Sequence, residues 1–581
     1  MRPVIYELVV RLFGNTKTSG VVDGTLARNG VGRFADINAT ALAELKALGV
    51  THVWLMGVLR QATLTPYEAL GLPSHDPDIV KGRAGSFYAV VDYFDVCPDY
   101  ALEPSKRLSE FDALVERIHR AGMHVMLDLV ANHVSRAYGS VVQPELDFGR
   151  DDDPSRFFQP DNNFFYLVDP PGQALQLQRP AHWNPADVTF DGRYPPEDGT
   201  SPARVPKATG NDVTSPAPAA SDWYETVKLN WGLDFVSGAS RFDPIPKTWR
   251  RMDQVIAYWQ RRGVDGFRCD MAPMVPAPAW SWLIERARAR APHTYFLAEA
   301  YADAASLLGC GFDSVYHAQV YEGLKLLYQG DVGADYVAGL LEGFAREPGR
   351  SGLVYLENHD ERRVASPVVR SAASAASGFG SSNAARQLLP LVALAGAGPV
   401  LIHNGQEVGE TGAGSSGFSG DDGRTSIFDY TFIPALQAWV SEHRYNGAGL
   451  DAWQKLLRKW YAELLALIQE RAFIDGQFRV LAGVEGTNNQ ALAFARWLPS
   501  SGCLWLVVAN VAWASGIRAH IRVPRDLQNA AGLANTMVVD VVLSRQGRIE
   551  QRLAESSRAC LADNGLQIEL DDQSAAVLRL Q

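Results

Sequence analysis

Eight short apolar runs, at 4–10, 53–56, 125–130, 266–270, 295–298, 313–316, 353–356 and 399–402, constrain the fold of this chain more than any other feature. Their lengths suit strands, and several are separated by stretches of helical period, so the order β, α, β, α predicts a parallel sheet with helical crossovers. Residues 41–48 are helical in composition and stop at Gly49, just before the second run. Phe111, Leu114, Val115 and Ile118 make an i, i+3, i+4, i+7 stripe. Ser109 with Asp112 suggests a capping box at its start, and Gly122 ends it. Trp249, Met252, Ile256 and Trp259 share another helical face that closes at Gly263. Eight strands in this order predict an α/β fold, a closed (β/α)8 TIM barrel.

The rhythm breaks twice. From 134 to 246, prolines, Asp/Asn clusters and aromatics replace periodicity, which predicts an inserted subdomain after strand 3 with some β-structure of its own. A Gly/Ser-rich excursion from 409 to 450 precedes a final amphipathic helix near 453–468. Beyond about 475, short strands such as 491–495 and 504–508 alternate with turns, predicting a C-terminal all-β sandwich. The expected organisation is therefore 1–133 and 247–474 for the barrel, 134–246 for the insertion and 475–581 for the sandwich.

The 581 residues exceed what one core usually supports, and 47% hydrophobic with 20% charged residues is an ordinary globular balance that argues against disorder. A formal charge of −11 gives no basis for phosphate-backbone binding, so no nucleic-acid partner is expected. Five scattered cysteines (Cys97, Cys269, Cys310, Cys503 and Cys560) offer neither a CxxC pair nor a disulfide framework. No apolar run approaches the roughly 20 residues of a membrane span. The start Met1-Arg2-Pro3-Val4 enters a strand-like run directly and reads as cytoplasmic, an export signal removed beforehand being the alternative. Oligomeric state is left open.

In a closed parallel barrel the reactive groups gather at the carboxyl ends of the strands. Four runs end in polar residues there: Asp128 through Asn132-His133, Arg268-Cys269-Asp270, Glu299, and Asn358-His359-Asp360. Arg268 and Asp270, two apart, share one side of their strand. Taken singly, each has a structural reading: a strand-end Asp as a turn cap, an Arg as a buried ion pair, a His as a satisfied core residue.

In order and strand context, these four segments resemble the signature regions of glycoside hydrolase family 13, the α-amylase family. The resemblance covers roughly residues 1 to 470. It implies Asp270 as nucleophile, Glu299 as general acid/base and Asp360 as the carboxylate that orients sugar hydroxyls. It also implies His133 and His359 as sugar-binding histidines, and Tyr88 as a ring beneath the reacting sugar, with core packing as the rival reading. Chemically, acetal cleavage needs one carboxyl protonated and another ionised, so environment must separate them. Arg268 is expected to hold Asp270 ionised, and Glu299 to keep its proton in a drier or more anionic setting. Asp128 is expected to be structural, near Arg268. Asn132 resembles a calcium ligand of many α-amylases, with the acidic runs 151–153 and 161–163 as further contributors. Calcium binding is left open, since such a site usually needs 6 to 8 oxygens. No cofactor is required.

The resemblance implies a retaining glycoside hydrolase acting on α-glucosidic bonds of maltooligosaccharides, cyclodextrins or related α-glucans through a covalent intermediate. Two alternatives share that chemistry, an α-glucanotransferase and an exo-acting α-glucosidase. A non-catalytic carbohydrate-binding member of the family should lack one of the three carboxylates, and all three are present. One departure is notable. Where many endo-acting α-amylases carry a Lys-His pair after the nucleophile, this chain has Pro273-Met274, which removes two donors on the leaving-group side.

Overall fold

The computed structural model describes residues 1–169, 174–180, 183, 185–194, 205–347, 351–367, 378–414, 421–481, 484, 490–512 and 515–581. Parts of the expected insertion (170–173, 181, 182, 184 and 195–204) and of the 409–450 excursion (415–420) therefore lie outside the described residues.

Eight parallel strands form one sheet: β1 (Val4–Val9), β2 (His52–Met56), β3 (His124–Leu129), β4 (Gly266–Cys269), β5 (Tyr295–Ala298), β6 (Ser314–Tyr316), β7 (Gly352–Leu353) and β8 (Val400–His403). Their spatial order is β7-β6-β5-β4-β3-β2-β1-β8, and a parallel bridge between Val354 and Val400 joins the two edges. The sheet is thus a closed (β/α)8 barrel. Every residue of β1 is buried, because a parallel strand faces packed side chains inside the barrel and helices outside. That is why the strands read as continuous apolar runs rather than as alternating ones. The run at 353–356 keeps regular pairing over only two residues and one bridge before it turns toward Asp360.

The sheath comprises α1 (Ala39–Leu48), α2 (Arg107–Arg120), α3 (Lys247–Arg261), α4 (Ala277–Arg290), α5 (Ala304–Gly309), α6 (Ala318–Gln329), α7 (Ala334–Ala345), α8 (Asn383–Ala395) and α9 (Ala452–Leu467). Asn38 caps α1 by accepting from the Ala41 amide, and Gly49 at φ +105° ends it in the left-handed region that favours glycine. The expected capping box of α2 is not there. The helix starts at Arg107, two residues earlier, and the Ser109 hydroxyl instead donates back to the Lys106 carbonyl. Asp112 pairs with Arg262 of the neighbouring connection. A reciprocal capping box occurs on α9, between Asp451 and Gln454.

Between β3 and α3, among the described residues, two small antiparallel pairs form, His133–Ser135 with Thr226–Lys228 and Leu175–Gln176 with Arg193–Tyr194. The first holds His133 against the barrel mouth. The last part of the chain forms a six-stranded antiparallel sheet from β9 (Gln477–Val480), β10 (Ala491–Trp497), β11 (Leu504–Asn510), β13 (Thr536–Ser544), β14 (Gly547–Ser557) and β16 (Ala575–Leu580). A second layer pairs β12 (Ile517–Ile521) with β15 (Leu566–Leu570). Phe494, Trp505, Val507 and Val577 join the barrel's core, whereas Leu504, Leu506, Val508 and Leu578 pack toward the second layer. All five cysteines are free. Among the described residues, no helix is long and apolar enough to cross a membrane.

Candidate active site

Cys269 and Ala298 are register partners on adjacent strands, so the residues that follow them, Asp270 and Glu299, leave the sheet side by side. A cavity of ≈ 360 Å³ opens above them, lined by Tyr88, His133, Asp270, Glu299 and Asp360 among others. This lies at the small end of the roughly 300–1,000 Å³ typical of ligand pockets. Arg268 and His359 stand beneath this lining rather than in it, and Asn132 is buried to one side.

The fully buried Arg268 guanidinium links the carboxylates from below. Its Nη1 donates to Asp270 Oδ1 at 2.8 Å and lies 3.4 Å from Asp128 Oδ1. Its Nη2 is 2.9 Å from Glu299 Oε2, an ion-pair contact without hydrogen-bond alignment. Asp128 is fixed in turn by the Trp54 indole N–H at 3.0 Å and the Gly57 amide at 3.1 Å, a role within the floor. Asp270 Oδ2 has no hydrogen-bond partner among the described residues. One oxygen of this carboxylate is therefore anchored and the other is not.

Each carboxylate sits in its own field. Burial pushes the Glu299 carboxyl up to about 7, against the pull of Arg268 and with help from Asp270 and Asp360. The Met271 amide donates to Glu299 Oε2 at 2.8 Å, and the Tyr301 hydroxyl donates to Oε1 at 3.1 Å. Met271 can aim its N–H there because its backbone is left-handed, at φ +43°, a strained conformation beside a reactive group. Burial also raises Asp270, with Arg268 opposing. Arg268 thus serves both carboxylates, not Asp270 alone as the sequence suggested. Burial would raise Asp360 too, but the charges of His359, Arg268 and Arg424 outweigh it and hold Asp360 below its ordinary value.

His359 is the centre of a charge chain. Burial opposes its protonation, yet Asp360 and Glu7 together raise it well above the ordinary histidine value. Nδ1 lies 2.5 Å from Glu7 Oε1, and Nε2 lies 3.1 Å from Asp360 Oδ2 and 2.7 Å from the Tyr88 hydroxyl. Tyr88 stacks on this imidazole at 5.4 Å and lines the cavity. His133 is the opposite case: burial lowers it to about 3, so it is neutral at pH 7. It packs against Trp223 at 5.1 Å.

Asn132 offers no free oxygen. Its Oδ1 accepts from the Lys228 ammonium at 2.8 Å, and its Nδ2 donates to the Gly210 carbonyl at 2.7 Å. Lys228 in turn pairs with Asp212 at 2.5 Å. The acidic runs are engaged elsewhere, with Asp152 accepting from the Asn163 and Phe164 amides, Asp151 pairing with Arg251 and Asp161 with Lys247. These residues do not fit calcium, because an ammonium already occupies the one amide oxygen and the carboxylates point to other partners. Among the described residues, no group of three or more His, Cys, Asp or Glu could hold a metal.

Several lining residues had no clear sequence signal: Lys81, Trp183, Trp223, Glu225, Phe428 and Asp429 come from segments without periodicity. Glu7 did have one, as a charged residue in the middle of an apolar strand.

Residues 13–187 match the family model for the alpha amylase catalytic domain. That part of the chain is similar to the α-amylase catalytic domain. The α-amylase MalA of Haloarcula japonica is 24% identical over 416 residues, 70% of this chain but only 44% of that relative. The chain thus spans less than half of that relative's length. An α-amylase from Lactobacillus plantarum has the same fold, with a TM-score of 0.59 at 20% identity over 99% of this chain and 98% of that one. The cyclic α-maltosyl-(1→6)-maltose hydrolase of Arthrobacter globiformis gives a TM-score of 0.60 at 15% identity over 100% and 98%. The overall fold is therefore shared with these structures over nearly the whole chain at low sequence identity.

Proposed function

We propose that this chain is a member of the α-amylase family and a retaining glycosidase that cleaves α-glucosidic bonds of α-glucan oligosaccharides by double displacement. The observation that carries this reading is the Asp270/Glu299 pair, register neighbours bridged by one guanidinium at the cavity, with Asp270 Oδ2 left without a hydrogen-bond partner among the described residues. Adjacent strands run roughly 4.8 Å apart. Retaining glycosidases place their carboxyls about 5–5.5 Å apart and inverting ones about 6.5–9.5 Å, so neighbouring strands favour retention.

Glu299, pushed up to about 7, carries a proton through much of the neutral range and donates it to the departing glycosidic oxygen. Asp270 Oδ2 attacks the anomeric carbon, forming a glycosyl ester as the bond to the leaving sugar breaks. Glu299, now ionised, takes a proton from an incoming water or sugar hydroxyl, which displaces Asp270 with a second inversion. Asp360, held anionic by His359, Arg268 and Arg424, binds sugar hydroxyls across the ring. Tyr88 supplies an aromatic face, and neutral His133 a donor.

Maltooligosaccharides followed by NMR test this directly. The expected outcome is the α-anomer as first product, with Asp270→Asn reducing kcat/KM by at least about 10⁴-fold, the order seen when a nucleophile is removed. A β-anomer, or near wild-type turnover in the variant, would refute the assignment.

A further inference from the structure

The two loops that flank β1 do not leave an open groove between them. They are hydrogen-bonded to each other across the top of that strand. In the connection after β2, the Ala84 and Gly85 amides donate to the Phe428 carbonyl at 3.0 and 3.1 Å, and the Arg83 amide donates to Asp429 Oδ1 at 3.0 Å. Phe428 and Asp429 belong to the connection after β8.

Arg11, buried in the turn that ends β1, staples the pair from below. It donates to the Ile427 carbonyl from Nη1 and to the Ala84 and Gly85 carbonyls from Nη2, at 3.0 to 3.2 Å. Its guanidinium lies over the Phe87 ring at 3.9 Å. The approach of the loops is as close as backbone allows, since a β-carbon on Gly82 would fall 2.3 Å from the Phe428 carbonyl oxygen. Lys81 extends the barrier to the insertion, with Nζ donating to the Asp222 carbonyl at 2.9 Å and pairing with Glu225 at 3.0 Å. Lys81, Gly82, Glu225, Phe428 and Asp429 all line the cavity that holds the three carboxylates.

The position of this barrier in the barrel decides its meaning. In the closed order β7-β6-β5-β4-β3-β2-β1-β8, β1 stands four strands from β5 in either direction, diametrically opposite the strand that ends in Glu299. The acid/base protonates the oxygen of the leaving sugar, so the leaving group lies on the Glu299 side. The opposite side receives the glycon.

We propose that the joined loops 81–86 and 427–429 wall off the glycon side of the cavity, so that the enzyme acts only from non-reducing ends of α-glucan chains. This rests on the retaining α-glucosidase chemistry proposed above and narrows it. A long glucan cannot thread past the wall, so its terminal unit must enter first. The barrier is built from backbone hydrogen bonds over a buried arginine, so it is a fixed part of the barrel mouth.

The test compares two forms of 4-nitrophenyl α-maltoheptaoside, one with a free non-reducing end and one with that glucose capped by a 4,6-O-ethylidene group, with β-cyclodextrin as an endless substrate. Products are followed by chromatography. The free substrate should shorten stepwise from its non-reducing end. The capped and cyclic ones should show kcat/KM lower by about 100-fold or more, the order of loss when the reacting bond cannot reach attack geometry. Cleavage of the capped or cyclic substrate within about tenfold of the free one overturns the wall but leaves the retaining glycosidase intact. Failure to cleave the free heptaoside overturns both.

Discussion

At the scale of single residues, the chemistry turns on what surrounds Glu299. Its carboxyl, pushed up to about 7 chiefly by burial, must be protonated for the first step, so kcat/KM should fall as pH rises through the neutral range. Two donors, the Met271 amide and the Tyr301 hydroxyl, favour the ionised form. Tyr301→Phe removes one of them, and losing a donor to a carboxylate raises its pKa. The basic limb of the kcat/KM profile should therefore move up by about 0.5–1 pH unit, the equivalent of one hydrogen bond of about 1 kcal/mol. A downward shift or an unmoved limb would show that Tyr301 does not tune the acid. The positions of Asp270, Glu299 and Asp360 were legible because strand-end carboxylates stand out against apolar runs. Tyr301 and the left-handed Met271 were not, since nothing in a lone tyrosine or methionine encodes a hydrogen bond that exists only once β4 and β5 are paired.

At the scale of elements, the segment between β3 and α3 is tied to the barrel by a buried ammonium. Lys228, on the strand paired with His133–Ser135, reaches Asn132 Oδ1 and Asp212 and so pins the insertion to the end of β3. Burial lowers its pKa, with Asp212 opposing the shift. A chelator should consequently leave the melting temperature and activity unchanged, whereas Lys228→Met should destabilise by roughly 2 kcal/mol, because Asn132 Oδ1 is then buried without a donor. Loss of stability on adding EDTA, restored by calcium, would contradict this arrangement. The barrel elements were legible from period and length, down to the glycine ending α1. The insertion was not, for its pairs are two or three residues long and its contacts are made by long-range polar side chains. The misplaced start of α2 has a similar cause: Ser109 has the residue type of a cap but sits inside the first turn, bonded backward to Lys106.

At the scale of the whole molecule, the six-stranded sheet and the barrel share one continuous apolar core, so neither should melt alone. The buried Arg496 on β10 donates to the carbonyls of Ala395 at the end of α8 and of Ala472 just after α9. Gln387 of α8 donates to the Asn510 carbonyl at the end of β11 with an N–O distance of 2.6 Å. These bonds cross the seam where Phe494, Trp505 and Val507 pack with the barrel core. A seam that is both apolar and hydrogen-bonded transmits unfolding, since opening it exposes one face of the sheet and strands buried carbonyls. Arg496→Met keeps the bulk but removes the donors, at a cost of about 2 kcal/mol. With an unfolding entropy of about 2.1 cal/mol/K per residue, so large a chain should lose only roughly 2 °C in Tm. The informative readout is coincidence. Loss of activity, which reports the barrel mouth, and loss of hydrogen-exchange protection in β11, which reports the sheet, should follow one curve in the wild type. In Arg496→Met both curves should move together while activity at 25 °C stays unchanged. If β11 loses protection tens of degrees before activity is lost, the sheet is an independent unit resting on the barrel.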